Sequence, residues 1–290
     1  MGIKIKFYPL HKIKLLQLLI IVAILSTASS ASAQYFYKDI WNTSQLNKES
    51  IKLKNESIKL IQTKSFEDDG TPSEGFFCEK RIDKEFTSAT MASNSYITGQ
   101  SLILTYYKEN GQVLKVIDSS SSSVNITDYQ YDHSRVKSIS TTTRSKEDNI
   151  GIIEIHDYFY TASGQLEKMQ RKKMGALIGT VNFLTDKNGN VIEEQEVLKN
   201  VTGRKYFYYY DEKNRLTDVV HNNERANRLL PDYVYEYDNK GNINQLISTD
   251  ENSSNYFIWK YDYDDKNFRI SEKCFSKEKR LLGSIVYHYQ

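Results

Sequence analysis

A unit of about 26 residues recurs from Leu102 to the end of this chain, and a steady period of that size leaves few folds open. Each copy can be anchored on the residue that precedes a polar turn: Tyr107, Tyr131, Tyr160, Thr185, Tyr210, Tyr237, Tyr263 and Tyr289. Subtracting neighbouring positions gives steps of 24, 29, 25, 25, 27, 26 and 26 residues. Four residues past the anchor stand Gly111, Gly164, Gly189 and Gly241, with Asn214 and Asn267 in two further copies. Glycine and asparagine tolerate the positive φ of a tight hairpin, so these six are read as turn-forming residues. Asp132, Asp211, Asp238 and Asp264 directly follow their tyrosines, where a carboxylate can bond the turn backbone. Two residues past the Gly or Asn comes an aliphatic: Val113, Leu166, Val191, Leu216 or Ile243.

Ahead of each turn the tyrosines are spaced by two: Tyr206, Tyr208 and Tyr210, then Tyr233, Tyr235 and Tyr237. Period two places each set on one face of a strand. Stacked through successive hairpins they form an aromatic ladder, with Tyr131, Tyr160, Tyr208, Tyr210, Tyr235, Tyr237 and Tyr263 as candidate ligand-contacting residues. Aromatic plates stack on sugars and anchor protein interfaces. The plainer alternative is that the rings pack the sheet on itself. The links at 119–123, 141–149, 222–227 and 249–255 are rich in Ser, Thr and Asn and read as outer turns.

Residues 1–33 have the pattern of a secretory signal peptide: Lys4, Lys6, Lys12 and Lys14, an apolar run from Leu15 to Leu25, and Ala31-Ser32-Ala33 before Gln34. The apolar run falls short of the ~20 residues that a membrane-spanning helix needs. Export places the mature chain in the periplasm, at the cell surface or outside the cell. Of 39 Lys and Arg, four leave with the leader; the remaining 35 against 37 Asp and Glu give a net charge of −2. So balanced a surface argues against nucleic acid as a partner.

Residues 34–101 lead into the repeats. Asn42 or Thr43 is expected to cap a short helix reaching about Leu53, followed by a strand to Phe66. Chemistry is sparse. His133, His156, His221 and His288 form no close ligand pair, and Cys78 and Cys274 are too few for a structural zinc site. No nucleophile elbow or phosphate-cradling loop appears. Asp186-Lys187-Asn188-Gly189-Asn190 begins like a calcium loop, but Val191 and Val197 stand where glycine and the bidentate Glu belong. No catalytic residue, metal or cofactor is assigned, and the chain is not expected to be an enzyme.

Units such as Tyr210-Asp211-Glu212-Lys213-Asn214-Arg215-Leu216 and Tyr237-Asp238-Asn239-Lys240-Gly241-Asn242-Ile243 resemble the YD repeat of RHS-type proteins. The resemblance covers roughly 102–290 and implies a continuous sheet of hairpins. In the large RHS and teneurin proteins such a sheet coils into a shell. Neither an RHS core signature nor a C-terminal toxin cargo follows here.

The expected architecture is therefore all-β: a long twisted antiparallel meander of fourteen to sixteen strands over 102–290 and its leading strands, open or incompletely closed. An open sheet would hold Cys78 and Cys274 far apart, so a disulfide between them is not favoured although an oxidising compartment permits it. The leading functional expectation is an exported, non-enzymatic binding or scaffold surface for a protein or a glycan. A shell or accessory component of an RHS-type toxin system is the alternative, and an exported glycan-acting hydrolase is the third.

Overall fold

The structure is a computed structural model that describes residues 35–199, 201–223, 227–249 and 255–290; the leader assigned above lies outside these residues. Among the described residues there is one helix, α1 (Tyr37–Asn55). Eighteen strands follow. The first six are β1 (Leu60–Glu67), β2 (Phe77–Ile82), β3 (Ser88–Ser95), β4 (Gly99–Tyr107), β5 (Val113–Ser119) and β6 (Ser123–Asp132). Next come β7 (Arg135–Ser145), β8 (Gly151–Tyr160), β9 (Leu166–Lys173), β10 (Ala176–Thr185), β11 (Val191–Leu198) and β12 (Val201–Tyr210). The chain ends with β13 (Leu216–Asn223), β14 (Arg228–Tyr237), β15 (Ile243–Thr249), β16 (Tyr256–Tyr263), β17 (Arg269–Phe275) and β18 (Leu281–Tyr289).

Each strand pairs antiparallel with the next, and β18 then returns to β1 through seven register pairs from Ile61↔Tyr289 to Glu67↔Gly283. The sheet is thus a closed barrel, and the expected open meander is corrected. Twist of roughly 20–25° per strand curls a long sheet until its edges meet. Joining them satisfies the N–H and C=O rows that a free edge would leave unpaired. The count exceeds fourteen to sixteen because β1 to β3, outside the repeat, contribute full staves.

The repeat turns are built alike except at β6–β7, where Asp132 pairs directly with Arg135 across the shorter His133-Ser134 hairpin. In the β12–β13 turn the Asp211 N–H donates to the Arg215 carbonyl (3.0 Å) and the Asn214 N–H to the Asp211 carbonyl (3.0 Å). The Asp211 carboxylate accepts the N–H groups of Lys213 and Arg215, both at 2.9 Å. Gly111, Gly164, Gly189 and Gly241 lie at φ +83° to +89°, Asn214 at +57° and Asn267 at +62°. A one-residue register shift falls at the anchor in every copy from Tyr107 to Tyr263. We call the barrel end that carries these turns the aspartate end.

The anchor tyrosine also has a task that its spacing did not announce. Its hydroxyl donates to the carbonyl of the aliphatic position in the preceding hairpin: Tyr160 to Val136 (2.8 Å), Tyr210 to Val191 (2.8 Å), Tyr237 to Leu216 (2.7 Å) and Tyr263 to Ile243 (2.8 Å). Tyr289 does the same to Arg269, the residue that replaces the aliphatic in the last copy (2.9 Å). These latches tie neighbouring hairpins together beyond the ladder. Tyr237→Phe is expected to lower the unfolding free energy by about 1 kcal/mol, the net worth of one such bond, readable as an earlier urea midpoint.

Pairing register fixes which side chains face inward. Tyr206, Tyr208 and Tyr210 share the inner face with His221, Val219 and Leu216, and Tyr233, Tyr235 and Tyr237 continue it. Both cysteines are free and buried. Cys78 sits on β2 and Cys274 on β17, with β18 and β1 between them. Three inter-strand steps of ~4.8 Å exceed the ~7 Å reach of a disulfide. The pair is apart even in a closed sheet, for a different reason from the one expected of an open one.

Helix α1 lies inside the barrel. It starts at Tyr37, earlier than an Asn42 or Thr43 cap would place it, and its N-cap residue Phe36 makes no side-chain cap of its own. The cap comes from the wall instead, through Glu194, and no local sequence pattern could show that.

Candidate functional site

Phe36, 3% exposed, brings the N-terminus of α1 against β8, β9 and β11. Glu194 on β11, 1% exposed, accepts the N–H groups of Phe36 (2.6 Å) and Tyr37 (2.7 Å). A carboxylate at a helix N-terminus meets both unpaired donors and the positive end of the dipole. Burial still dominates, raising the Glu194 carboxyl to about 7. The buried Tyr208 hydroxyl beside Glu194 offsets part of this rise.

One turn on, Asp39 holds the His156 ring at 2.8 Å and accepts the Tyr158 hydroxyl at 3.1 Å. The other ring nitrogen of His156 meets Glu154 at 3.0 Å. Burial works against a charged imidazole, but hydrogen bonds to Asp39 and Glu154 outweigh it and hold the pKa up at about 9. The hydrogen bond from His156, with help from Arg171, holds Glu154 down at about 2. Arg171 on β9 bridges Glu154 (2.8 Å) and Glu196, and its guanidinium lies 4.7 Å from the Phe36 ring centroid.

The C-terminal half of α1 is tied to the aspartate end. Glu49 pairs with Lys80 of β2 (2.8 Å), and Glu56 with Lys266 (2.7 Å). Lys54 donates to the Glu109 carbonyl (2.9 Å) and Lys52 to that of Asn267 (2.5 Å). At the β5–β6 joint Asn47 replaces the tyrosine latch: its side chain meets the Tyr131 hydroxyl (3.5 Å) and its Oδ1 accepts the Val113 N–H (2.8 Å). Every one of these charges is met by a partner, so the arrangement can bolt a helix into a barrel; it presents no nucleophile with its base. Among the described residues no group of three His, Cys, Asp or Glu is placed to hold a metal.

The candidate tyrosines fall into two sets. Tyr208 and Tyr235 are buried at 2% and 7% exposure, against Tyr35, Tyr37 and Trp41, with ring centroids 5.1 to 6.1 Å apart. Tyr131, Tyr160, Tyr210, Tyr237 and Tyr263 are half-buried and spend their hydroxyls on the latches and on Asn47. The turn residues ring the aspartate end. Gly111 stands apart among them, because an added Cβ would come within 2.5 Å of the Ile51 side chain. Gly111→Ala is therefore expected to destabilise by about 2 kcal/mol, from strain at positive φ plus that clash. Gly241→Ala, which meets only Arg215 at 3.9 Å, should cost about 1 kcal/mol. Urea titration of both variants separates the two contributions.

Sequence reasoning missed Asp39, Glu154, His156, Arg171, Glu194 and Glu196. The usable signal was alternation: Glu154, His156 and Tyr158 share one face of β8, and a charged pair on an otherwise aromatic face calls for buried partners.

A second place is exposed. Between the β14–β15 turn and β16 lies a cleft of about 370 Å³, lined by Asp238, Asn239, Lys240 and Asn244 on one side and Tyr261 to Asp264 on the other. Hydrogen bonds from Asn242 outweigh burial and hold Asp238 below the usual carboxylate range; the Ser271 hydroxyl does the same for Asp262.

No known sequence family matches the chain, and no curated protein does. Solved structures with a similar chain path include a porin-like protein from Bacteroides uniformis, with a TM-score of 0.39 at 9% identity, over 80% of this chain and 98% of that one. A porin-like protein from Bacteroides vulgatus gives 0.29 at 11%, over 80% and 98%. The TcdB2–TccC3–TEV structure gives 0.30 at 11%, over 72% of this chain and 14% of that one. Likeness at these scores carries no conclusion about this chain.

Proposed function

We propose that the protein is an exported, non-enzymatic barrel scaffold that recognises a glycan at the cleft beside the β14–β15 turn. The observation that carries this reading is the cleft's lining: carboxylates, amides and one ammonium around the Tyr261–Tyr263 edge. Asp and Asn side chains pair with sugar hydroxyls, and an aromatic ring offers a plate for the apolar sugar face. A glycosidase needs one carboxyl raised to act as a general acid. Asp238 and Asp262 are both held low, which favours binding over hydrolysis. The YD-like units support kinship with the RHS repeat, but α1 and its aromatic seat occupy the interior that a cargo shell would keep free.

The outward face supports a barrel that stands in water. Lys115–Asp128, Lys172–Asp157, Lys205–Glu193 and Lys273–Asp262 all pair there. One Lys at a bilayer midplane costs about 2–4 kcal/mol, so such a ring does not suit lipid. No helix among the described residues is long and apolar enough to cross a membrane. The mature protein is accordingly expected to purify as a monodisperse species without detergent. A requirement for detergent from the first step would contradict this.

The glycan reading is tested by array screening of the mature protein, then calorimetry with the best binder. Asn239→Ala combined with Asp262→Ala should weaken binding at least tenfold, since hydrogen bonds to charged groups contribute about 1.5–3 kcal/mol. No retained glycan, or an affinity untouched by the double variant, would reject the cleft.

A further inference from the structure

The barrel end opposite the aspartate turns is a second surface, and its chemistry changes around the circumference. At the tip between β5 and β6 stand Ser120, Ser121 and Ser122. From β8 to β14 the tips carry aliphatics instead. Ile150 is 64% exposed, Met174 63%, Leu177 56%, Val201 67% and Leu229 44%. Turn tips are ordinarily polar, and side chains this apolar in open water call for a cover.

These residues belong to neighbouring hairpins. The Ile153 N–H contacts the Met174 sulfur at 3.3 Å, Leu177 pairs with Lys172 beside it, and Leu198 pairs with Val201 across the next turn. Met174 itself sits at φ +50°, a left-handed conformation that a long apolar side chain adopts rarely and at a cost. A two-residue turn ending in Gly175 would ordinarily take Asn at that position. Methionine there lays a flexible thioether along the rim, over the start of β8, where asparagine would have relieved the backbone. Tyr96, 88% exposed, stands at the tip between β3 and β4 on the same barrel end.

Charge identifies the cover. In the sector of this rim from the β7–β8 tip to the β13–β14 tip, Arg144, Lys146, Lys173, Lys199 and Arg228 are exposed against Glu147 and Asp148 among the described residues. On the same barrel end the β1–β2 loop instead exposes Asp68, Asp69 and Glu74, and the β17–β18 turn exposes Glu278 among Lys277, Lys279 and Arg280. Aliphatic tips set among Lys and Arg match a bilayer whose headgroups are anionic: apolar side chains enter the headgroup–acyl boundary by ~5–10 Å while the cations meet phosphates. We propose that the β7–β14 sector of this rim seats the barrel, tilted, on an anionic lipid surface, the acidic β1–β2 loop, the rest of the wall and the aspartate end remaining in water. Wall ion pairs and rim aliphatics are then parts of one arrangement, with burial confined to the tips. The cleft of the proposed function lies at the other end and would face away from the lipid.

The test is flotation of the mature protein with vesicles of phosphatidylcholine alone and of phosphatidylcholine with phosphatidylglycerol. Wild type should float with the phosphatidylglycerol vesicles only, and raised salt should weaken the association. Met174→Asp with Val201→Asp should lose at least tenfold in partitioning, and Lys173→Glu with Lys199→Glu should lose a similar factor. All four positions are exposed turn or strand-end residues, so the unfolding midpoint should not move, and circular dichroism checks that. No flotation, or flotation equal in the aspartate variant, would overturn the proposal. So would a wild-type dimer in solution that the aspartate variant dissolves, because a second copy would then be the cover. Glycan binding at the aspartate end can succeed or fail without affecting any of these readouts.

Discussion

Arg269→Ala is expected to lower the unfolding free energy by about 2–3 kcal/mol, less than for a fully buried ion pair because the Arg269 side chain is 36% exposed while Glu272 is buried. Arg269 leans inward from β17, where its guanidinium meets Glu272 at 3.1 Å and covers the Tyr261 ring at 4.1 Å. Glu272 is 1% exposed and has one other hydrogen-bond donor, the Tyr287 hydroxyl at 3.0 Å. Without the guanidinium a carboxylate is left deep in the wall with a single neutral donor. At about 2–4 °C per kcal/mol for a protein of this size, the melting midpoint should fall by roughly 4–12 °C. Arg269→Met combined with Glu272→Leu removes both charges and should recover most of the loss. A double variant as unstable as the single one would mean that packing, not the uncompensated charge, sets the effect. Tyr289 binds the Arg269 carbonyl, so its latch survives all these changes.

Stability should be highest in mildly acidic solution and decline as the pH rises to 9. Two lumenal groups set this trend, and their signs agree. His156 has a folded pKa of about 9, above its unfolded value of about 6.5. Its contribution is fully present below 6.5 and is lost as the pH rises through 9, about 3 kcal/mol in all. Glu194 is raised to about 7 from an ordinary 4.5, so the fold holds its proton better than the unfolded chain does. Raising the pH from 4.5 to 7 therefore removes stability too, again by about 3 kcal/mol. Glu154, held at about 2, acts in the other direction: its contribution is present above 4.5 and is lost as the pH falls through 2. Urea unfolding at pH 5, 7 and 9 reads the decline. His156→Asn should flatten the limb between 7 and 9, and Glu194→Gln the limb between 5 and 7. An unchanged pH profile in both variants would contradict the placement of these groups.

The repeat was legible because its physics is local. Asp after Tyr and Gly or Asn four residues past the anchor state a hairpin turn whatever the sheet does beyond it, and the six turn residues adopt positive φ. Closure was not legible. It rests on β1, whose Leu60–Glu67 segment carries no repeat signature yet pairs with the last stave. Nothing in a periodic sequence says where the period stops and the ends join.

The aromatic ladder shows the same limit in another form. Spacing by two gave one face correctly, but it could not say whether that face looks outward or inward. Closure turns Tyr208 and Tyr235 into a seat for Tyr35, Tyr37 and Trp41. It also turns the anchor hydroxyls into backbone latches, so ring and hydroxyl are both used within the fold. The charged seat of α1 was hidden for a related reason: Asp39 and His156 stand 117 residues apart, and Phe36 and Glu194 158. Contacts at such separations leave no trace in a local pattern.

The joint between β1 and β18 is where the account is most exposed, and a disulfide placed across it is the most direct test. Lys64 and Val286 are register partners there. Partners across an antiparallel pair have Cα atoms about 4.5–5.5 Å apart, within the span of a disulfide. In a chain with Cys78→Ser and Cys274→Ser, Lys64→Cys and Val286→Cys should oxidise to an intramolecular bond. It would appear as a faster-migrating monomer on a non-reducing gel, with the native circular dichroism spectrum retained. Free thiols in the folded monomer, or disulfide-linked dimers alone, would mean that the two ends of the sheet do not meet.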